Sequence, residues 1–294
     1  MHSKTSAEEP EIPSRINFVS HGTGAPVILI HGLAASLHDW DELVPRLANA
    51  GYSVYAPDLL GHGDSPKPDV PAYEMQWMVD HFVQWLNSLR LDEAAVIVGH
   101  SLGGYVALEY ARRHPSKVRG LILVDPFYKN AQLPALVRLM YAHPAMGRFF
   151  TARTPRWLVR RVIDVTSMFM GHAAGGLHAL PAQVRAQTAT DYLRTAPAAY
   201  AMLNADLNQT PNLAAIGVPV LVVWGEMDGT LAPSSFDELV THLPHAVGRP
   251  IRTGHVPHQA QAAWFNEQVM AFLESLPSLA TKDDERVRSG AGDR

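Results

Sequence analysis

The segment AAVIVGHSLGGYVALEYARRH, residues 94–114, changes character halfway along. Its first part is a short apolar run rich in β-branched residues, the composition of a buried strand. Its second part repeats apolar positions at helical spacing. Between them stands Gly99-His100-Ser101-Leu102-Gly103. A strand that turns abruptly into a helix at Gly-x-Ser-x-Gly is the setting of a nucleophile elbow. Ser101 would take a strained backbone conformation there, and side chains at 99 and 103 would crowd neighbouring backbone. The helix N-terminus, with its free N–H groups, would face whatever the serine meets.

Working outward, four more apolar runs have the same texture: VILI (27–30), YSVYAPD (52–58), LILVD (121–125) and VPVLVVW (218–224). Nearly continuous runs suit strands buried on both faces, as in a parallel sheet. Helical patterns lie between them. Met75, Met78, Val79, Phe82, Val83, Leu86 and Leu89 form one, and Ala262, Phe265, Val269 and Phe272 another. Alternation of this kind predicts an α/β fold with a doubly wound, mostly parallel central sheet and right-handed crossovers.

About 90 residues separate LILVD from VPVLVVW, far more than one crossover helix requires. The stretch 127–216 is helix-compatible, broken by prolines, and predicted to be a helical cap or lid on a core of 15–126 and 217–277. It carries Met140, Met146, Met168, Met170 and Met202, half of the ten methionines. These fill gaps between short helices or line an adaptable apolar pocket. ARTPRWLVRR (152–161) reads as a solvated outer face of the cap, with a membrane-touching helix as the competing reading. Residues 1–14 are expected to be flexible, and 278–294, where eight charges in the last fourteen residues cancel, to form a disordered tail.

An activated serine needs a base, and the base needs a carboxylate to hold its tautomer. TGHVPHQ (253–259) supplies His255 on a loop behind a short strand-like stretch, with His258 as the alternative base next to a helix start. VVWGEMDG (222–229) ends a strand and turns, placing Asp228 in the following loop. Asp125, ending LILVD, and Glu226 are alternative acids. Oxyanion donors are expected from the backbone N–H groups of Leu102 and of Leu33, where VILIHGLAAS (27–36) turns at Gly32. His31 is expected to brace that loop. DLLGHGDS (58–65) lacks a P-loop lysine and reads as a structural turn in which His62 and Asp64 brace neighbours. His255 and His258 stand three apart, but no third ligand completes a metal site.

The chain has 294 residues, 47% hydrophobic and 18% charged, with a formal net charge of −4. Such a composition builds a large core and carries no basic signature for nucleic acid. With no cysteine there is no disulfide, thiolate metal site or thiol nucleophile. The N-terminal residues hold no apolar signal core and no run is long enough to span a bilayer, so a cytoplasmic location and no membrane contact are expected.

HGLAAS (31–36), DLLGHGDS (58–65), GHSLGG (99–104), GEMD (225–228) and GHVPH (254–258) together resemble, in order and spacing, the α/β-hydrolase fold superfamily. The resemblance spans most of residues 15–275 and is weakest in the insertion. It implies a helical cap inserted after the sixth strand, Ser101 as nucleophile, His255 as base, Asp228 as acid and no cofactor. Epoxide hydrolases and haloalkane dehalogenases carry aspartate at the position of Ser101, which points to the serine-nucleophile branch. The expected activity is hydrolysis of a carboxylic ester, lactone or related acyl bond in a lipophilic small molecule. Its pocket is expected from Leu33, His100, Leu102, Phe127, Tyr128, Met140, Met168, Met170 and Val256. A C–C bond hydrolase is disfavoured by Val256 in place of an aromatic residue. The same motifs also fit a cofactor-free perhydrolase and a slow-turnover ligand receptor. The sequence leaves the oligomeric state open.

Overall fold

The computed structural model describes residues 15–135, 154–173 and 179–277, the side chains of 169–173 excepted. The segments 1–14 and 278–294, expected to be flexible ends, lie outside these residues, as does Met140. Among the described residues seven strands form one sheet: β1 (Phe18–His21), β2 (Pro26–Ile30), β3 (Ser53–Pro57), β4 (Ala95–His100), β5 (Val118–Val124), β6 (Val220–Gly225) and β7 (Ala246–Ile251). Their spatial order is β1-β3-β2-β4-β5-β6-β7, and all pairs are parallel except β1 with β3. This is the predicted α/β architecture.

The continuous apolar runs have a direct cause. Ile28 and Ile30 of β2, Ile97 of β4, Leu121 and Leu123 of β5, and Val220 and Val222 of β6 join the core on one face. Their neighbours Val27 and Leu29, Val96 and Val98, Ile122 and Val124, and Leu221 and Val223 join the core on the other. Helices cover both faces, so nearly every position of these strands leaves water, at about 1.5–3 kcal/mol per large apolar side chain. Helices α2 (Met75–Ser88) and α3 (Leu102–Arg113) supply Phe82 and Val106 to the first core. Helices α1 (Val44–Asn49) and α6 (Ala262–Ser275) supply Leu47, Phe265 and Val269 to the second.

The long insertion leaves β5 and returns at β6, so among the described residues it follows the fifth strand, where the sixth was expected. Among the described residues one strand, β1, precedes VILI, and its FVSH is half-buried to exposed at an edge, without an apolar run to mark it. The described part of the insertion contains α4 (Arg156–Ala173) and α5 (Ala182–Arg194), which pack on each other. Trp157, Leu158, Val162, Val165 and Met168 are exposed on α4, so its outer face is less polar than a solvated surface helix would be. No helix among the described residues is long and apolar enough to cross a membrane. The cap meets the core through an Arg194–Asp64 ion pair and through Ala196 N–H bonded to Gly61 O at 2.7 Å.

Candidate active site

The chain runs from β2 to β3 on one side of the sheet and then crosses to β4 on the other side of β2. Loops after β2 and β4 therefore diverge at a switch point, the place where open α/β sheets form ligand crevices at the carboxyl ends of their strands. Leu33 follows β2, Ser101 follows β4, Asp125 follows β5, Asp228 follows β6 and His255 follows β7. Five loops distant in sequence meet at one sheet edge.

Ser101 has φ +50° and ψ −112°, a strained conformation for a residue with a side chain. Its N–H bonds Val124 O at 2.9 Å, and its carbonyl accepts Phe127 N–H at 2.9 Å and Gly104 N–H at 2.9 Å. The flanking glycines are required by contact. A Cβ on Gly99 would collide with the Gly103 carbonyl, and one on Gly103 with the Ile30 carbonyl. Leu102 begins α3, so its N–H is one of those a helix leaves without an internal partner.

The Ser101 hydroxyl and His255 Nε2 are 3.0 Å apart, and His255 Nδ1 and Asp228 Oδ2 are 2.7 Å apart. The Asp228 side chain is fully buried, while that of His255 is 19% exposed. Asp228 Oδ1 accepts the N–H groups of Thr230 at 2.7 Å and Leu231 at 3.1 Å. Burial opposes ionisation of Asp228, but the His255 charge and these hydrogen bonds outweigh it and hold its carboxyl below the ordinary range. An ionised carboxylate on Nδ1 keeps that nitrogen protonated and leaves Nε2 free to take a proton from the serine.

The two alternative acids lie differently. Asp125 is completely buried and accepts Gly225 N–H at 3.0 Å. Burial, reinforced by the Asp228 charge, pushes its carboxyl well above the ordinary range. Glu226 is exposed, and its N–H bonds Ile251 O at 2.9 Å. His258, the alternative base, is 2% exposed and packs between Trp40 and His100, with ring centroids at 4.8 Å and 4.4 Å. Burial, then the neighbouring His100, drives its titration well below that of a free histidine.

The loop after β2 is braced as expected: His31 Nε2 accepts Leu59 N–H at 2.9 Å, so Nδ1 donates to Gly32 O at 2.7 Å. His62 donates from Nδ1 to Leu60 O at 2.9 Å. The acid that organises this turn is Asp58, not Asp64. Asp58 accepts the N–H groups of Leu37 and Asp64 and the Asn17 amide, each at 2.8 Å, whereas Asp64 reaches out to Arg194.

A cavity of about 450 Å³ lies between these loops and the cap. Of the expected pocket residues, Leu33, His100 and Val256 line it together with His255. Leu102, Phe127 and Tyr128 do not; all three are core residues. Phe127 stacks on Tyr105 at 6.0 Å, and the Tyr128 hydroxyl donates to Ser235 O at 2.9 Å, which turns both rings into the fold. Met168 is 39% exposed on α4 and is not among the lining residues, and the Met170 side chain lies outside the described ones. The cap wall is made instead by Ile163, Leu180, Val184 and Tyr192, with Gln183, Gln187, Thr188 and Asp191. Only the helical period of 180–192 hinted at this face. Ser101 is 8% exposed and is not itself among the lining residues; its neighbours His255 and His100 line the cavity.

Reading the sequence did not single out Asp39. Buried in the short turn after the β2 loop, it contacts Gly32, His100 and Gln259. Two groups among the described residues bring three potential metal-ligand atoms within 4.8 Å: Asp39, His100 and His258, and Asp125, Asp228 and His255. The expected weak pair, His255 with His258, is in neither group. In each, a histidine nitrogen is already joined to a carboxylate.

The profile of the α/β hydrolase fold family matches residues 25–259. The chain belongs to this family. Relatives include an uncharacterized protein of Mycobacterium tuberculosis, 30% identical over 86% of this chain and 76% of the relative. A haloalkane dehalogenase of Mycolicibacterium paratuberculosis is 27% identical over 90% of this chain and 89% of the enzyme. Among solved structures, a thermophilic esterase from Thermogutta terrifontis superposes with a TM-score of 0.73 at 24% identity, covering 88% of this chain and 93% of the esterase. The enol-lactonase from Burkholderia xenovorans superposes with a TM-score of 0.72 at 20% identity, over 88% and 96%. At these identities the structural likeness establishes the fold of this α/β hydrolase.

Proposed function

We propose that this α/β hydrolase is a serine esterase that cleaves a neutral, medium-sized carboxylic ester or lactone through an acyl-enzyme. The observation that carries this reading is the unbroken chain from the Ser101 hydroxyl to His255 Nε2 at 3.0 Å and from His255 Nδ1 to Asp228 at 2.7 Å. His255 takes the Ser101 proton as the oxygen attacks the carbonyl carbon. The developing oxyanion is met by the Leu33 and Leu102 N–H groups, each worth ~3 kcal/mol in the transition state. His255 then protonates the leaving alcohol. Water, deprotonated by the same imidazole, releases the acid and restores the serine.

Similarity to a haloalkane dehalogenase raises a second chemistry, and Ser101 argues against it. Displacing halide with a serine oxygen leaves an alkyl ether, which has no carbonyl for water to attack. An aspartate nucleophile would leave an ester, which water can open. A serine in the elbow therefore suits substrates that bring their own carbonyl.

The test is steady-state hydrolysis of p-nitrophenyl esters from acetyl to palmitoyl by the wild type and Ser101→Ala. Multiple turnovers lost in the variant, with an optimum at short or medium acyl length, are expected. Equal rates in both proteins would refute the assignment of Ser101.

A further inference from the structure

We propose that Asp39 is a positioning residue which, through His100, ties the oxyanion loop and the base-bearing loop to the nucleophile elbow. The inference rests on the serine-hydrolase reading. Asp39 Oδ2 accepts Gly32 N–H at 3.2 Å and meets His100 Nδ1 at 3.0 Å, while Oδ1 accepts the Gln259 side-chain amide at 3.1 Å. His100 Nε2 in turn meets the His255 carbonyl at 3.0 Å. One carboxylate thus reaches the residue before Leu33, the residue before Ser101, and the loop that carries His255. It touches none of the reacting atoms.

The arrangement is demanding. Asp39 and His100 are 8% and 4% exposed, so their hydrogen bonds are not exchanged cheaply for water. A carbonyl and a carboxylate both accept, so with Asp39 ionised the His100 ring fills both bonds when doubly protonated. Burial opposes that ionisation of Asp39, but the hydrogen bond and electrostatic attraction of His100 outweigh it and hold its carboxyl below the ordinary range. Gly32 is held against this ring so closely that a Cβ there would stand 2.8 Å from His100 Nδ1. Removing one partner of a buried pair leaves the other without compensation.

Each tie governs a group the reaction needs. Fixing the Gly32 peptide sets the direction of the next N–H, that of Leu33. Holding the His255 carbonyl sets the backbone from which its imidazole projects. Displacements of about 1 Å in such groups reduce turnover by up to ~100-fold while leaving substrate contacts largely in place.

The experiment compares wild type, Asp39→Asn, His100→Ala and the double variant. A fluorophosphonate titration counts competent serines, and kcat and KM on a p-nitrophenyl ester are expressed per titrated site. Asparagine has the size of aspartate but one acceptor oxygen, too few for Gly32, His100 and Gln259. Each single variant is expected to lose about 10- to 100-fold in kcat with KM within about twofold. The double variant should be no worse than the poorer single, because the two residues act as one unit. Unchanged kcat per titrated site, or losses that multiply in the double variant, would overturn the proposal. If Asp39→Asn does not fold, Asp39→Glu, alone and combined with His100→Ala, takes its place against the same outcomes. A wild type that neither labels nor turns over an ester would instead bring down the serine-hydrolase reading and this inference with it.

Discussion

Asp228 and Asp125 lie side by side with their carboxyls pushed in opposite directions: His255 and backbone N–H groups hold Asp228 below the ordinary range, while burial and the Asp228 charge push Asp125 well above it. Two carboxylates this close do not both ionise in a buried site. Contact with a histidine and two backbone N–H groups decides which one carries the charge. Replacing Asp228 by Asn should therefore lower kcat by roughly 100- to 10,000-fold, since the amide no longer fixes the tautomer or stabilises the imidazolium. Asp125→Asn removes no charge and should cost less than about tenfold. Ester kinetics on the two variants check this; equal losses would show that Asp125 shares the role of Asp228.

Gly103→Ala places a Cβ against the Ile30 carbonyl, a backbone atom that cannot step aside. The expected cost is at least ~2 kcal/mol, together with loss of activity. Gly217→Ala serves as the control, because nothing lies within 4 Å of its Cβ position. Denaturant titration of both should find only the first destabilised. A neutral Gly103→Ala would mean that the elbow is looser than these contacts require.

The cavity wall carries Asp39, Asp41, Glu42 and Asp191, and no lysine or arginine is among its described lining residues. Anionic esters should be poorer substrates than neutral ones of equal size, by about tenfold or more in kcat/KM at low salt. Added salt and Glu42→Gln should narrow the gap, because Glu42 is exposed and its field is screened. A hemisuccinate-type ester turned over as fast as its methyl ester would exclude this electrostatic selection.

His62 and His258 are both buried, and burial leads the causes that lower their titration, His62 to about 3. A histidine whose folded value is depressed stabilises the fold fully above the unfolded value of about 6.5. That stability is lost as pH falls below 6.5 toward the folded value, since only the unfolded chain takes up the proton. Each such residue contributes a loss of about 1.4 kcal/mol per pH unit in this window. Melting temperature should fall steadily from pH 7 to pH 5, and His62→Asn should flatten the slope. A curve level across this range would contradict neutral burial of these rings.

Strand-forming residues of β2 to β6, the elbow glycines and the order Ser101, Asp228, His255 are all legible in the linear chain. Each depends on short-range requirements: an apolar run for a strand buried on two faces, and glycine where backbone touches backbone. Edge strand β1 was not legible, because FVSH has no buried face to demand a pattern. Phe127 and Tyr128 read as pocket residues by nearness to Asp125, yet the turn after β5 sends both rings into the core. Asp39 carried no local signal at all. Its partners at Gly32, His100 and Gln259 are up to 220 residues away, and only the meeting of three loops at the sheet edge gives its carboxylate a role. Local chemistry marked the candidate residues; long-range packing decided which carboxylate meets His255, which side chains line the cavity and which loops Asp39 joins.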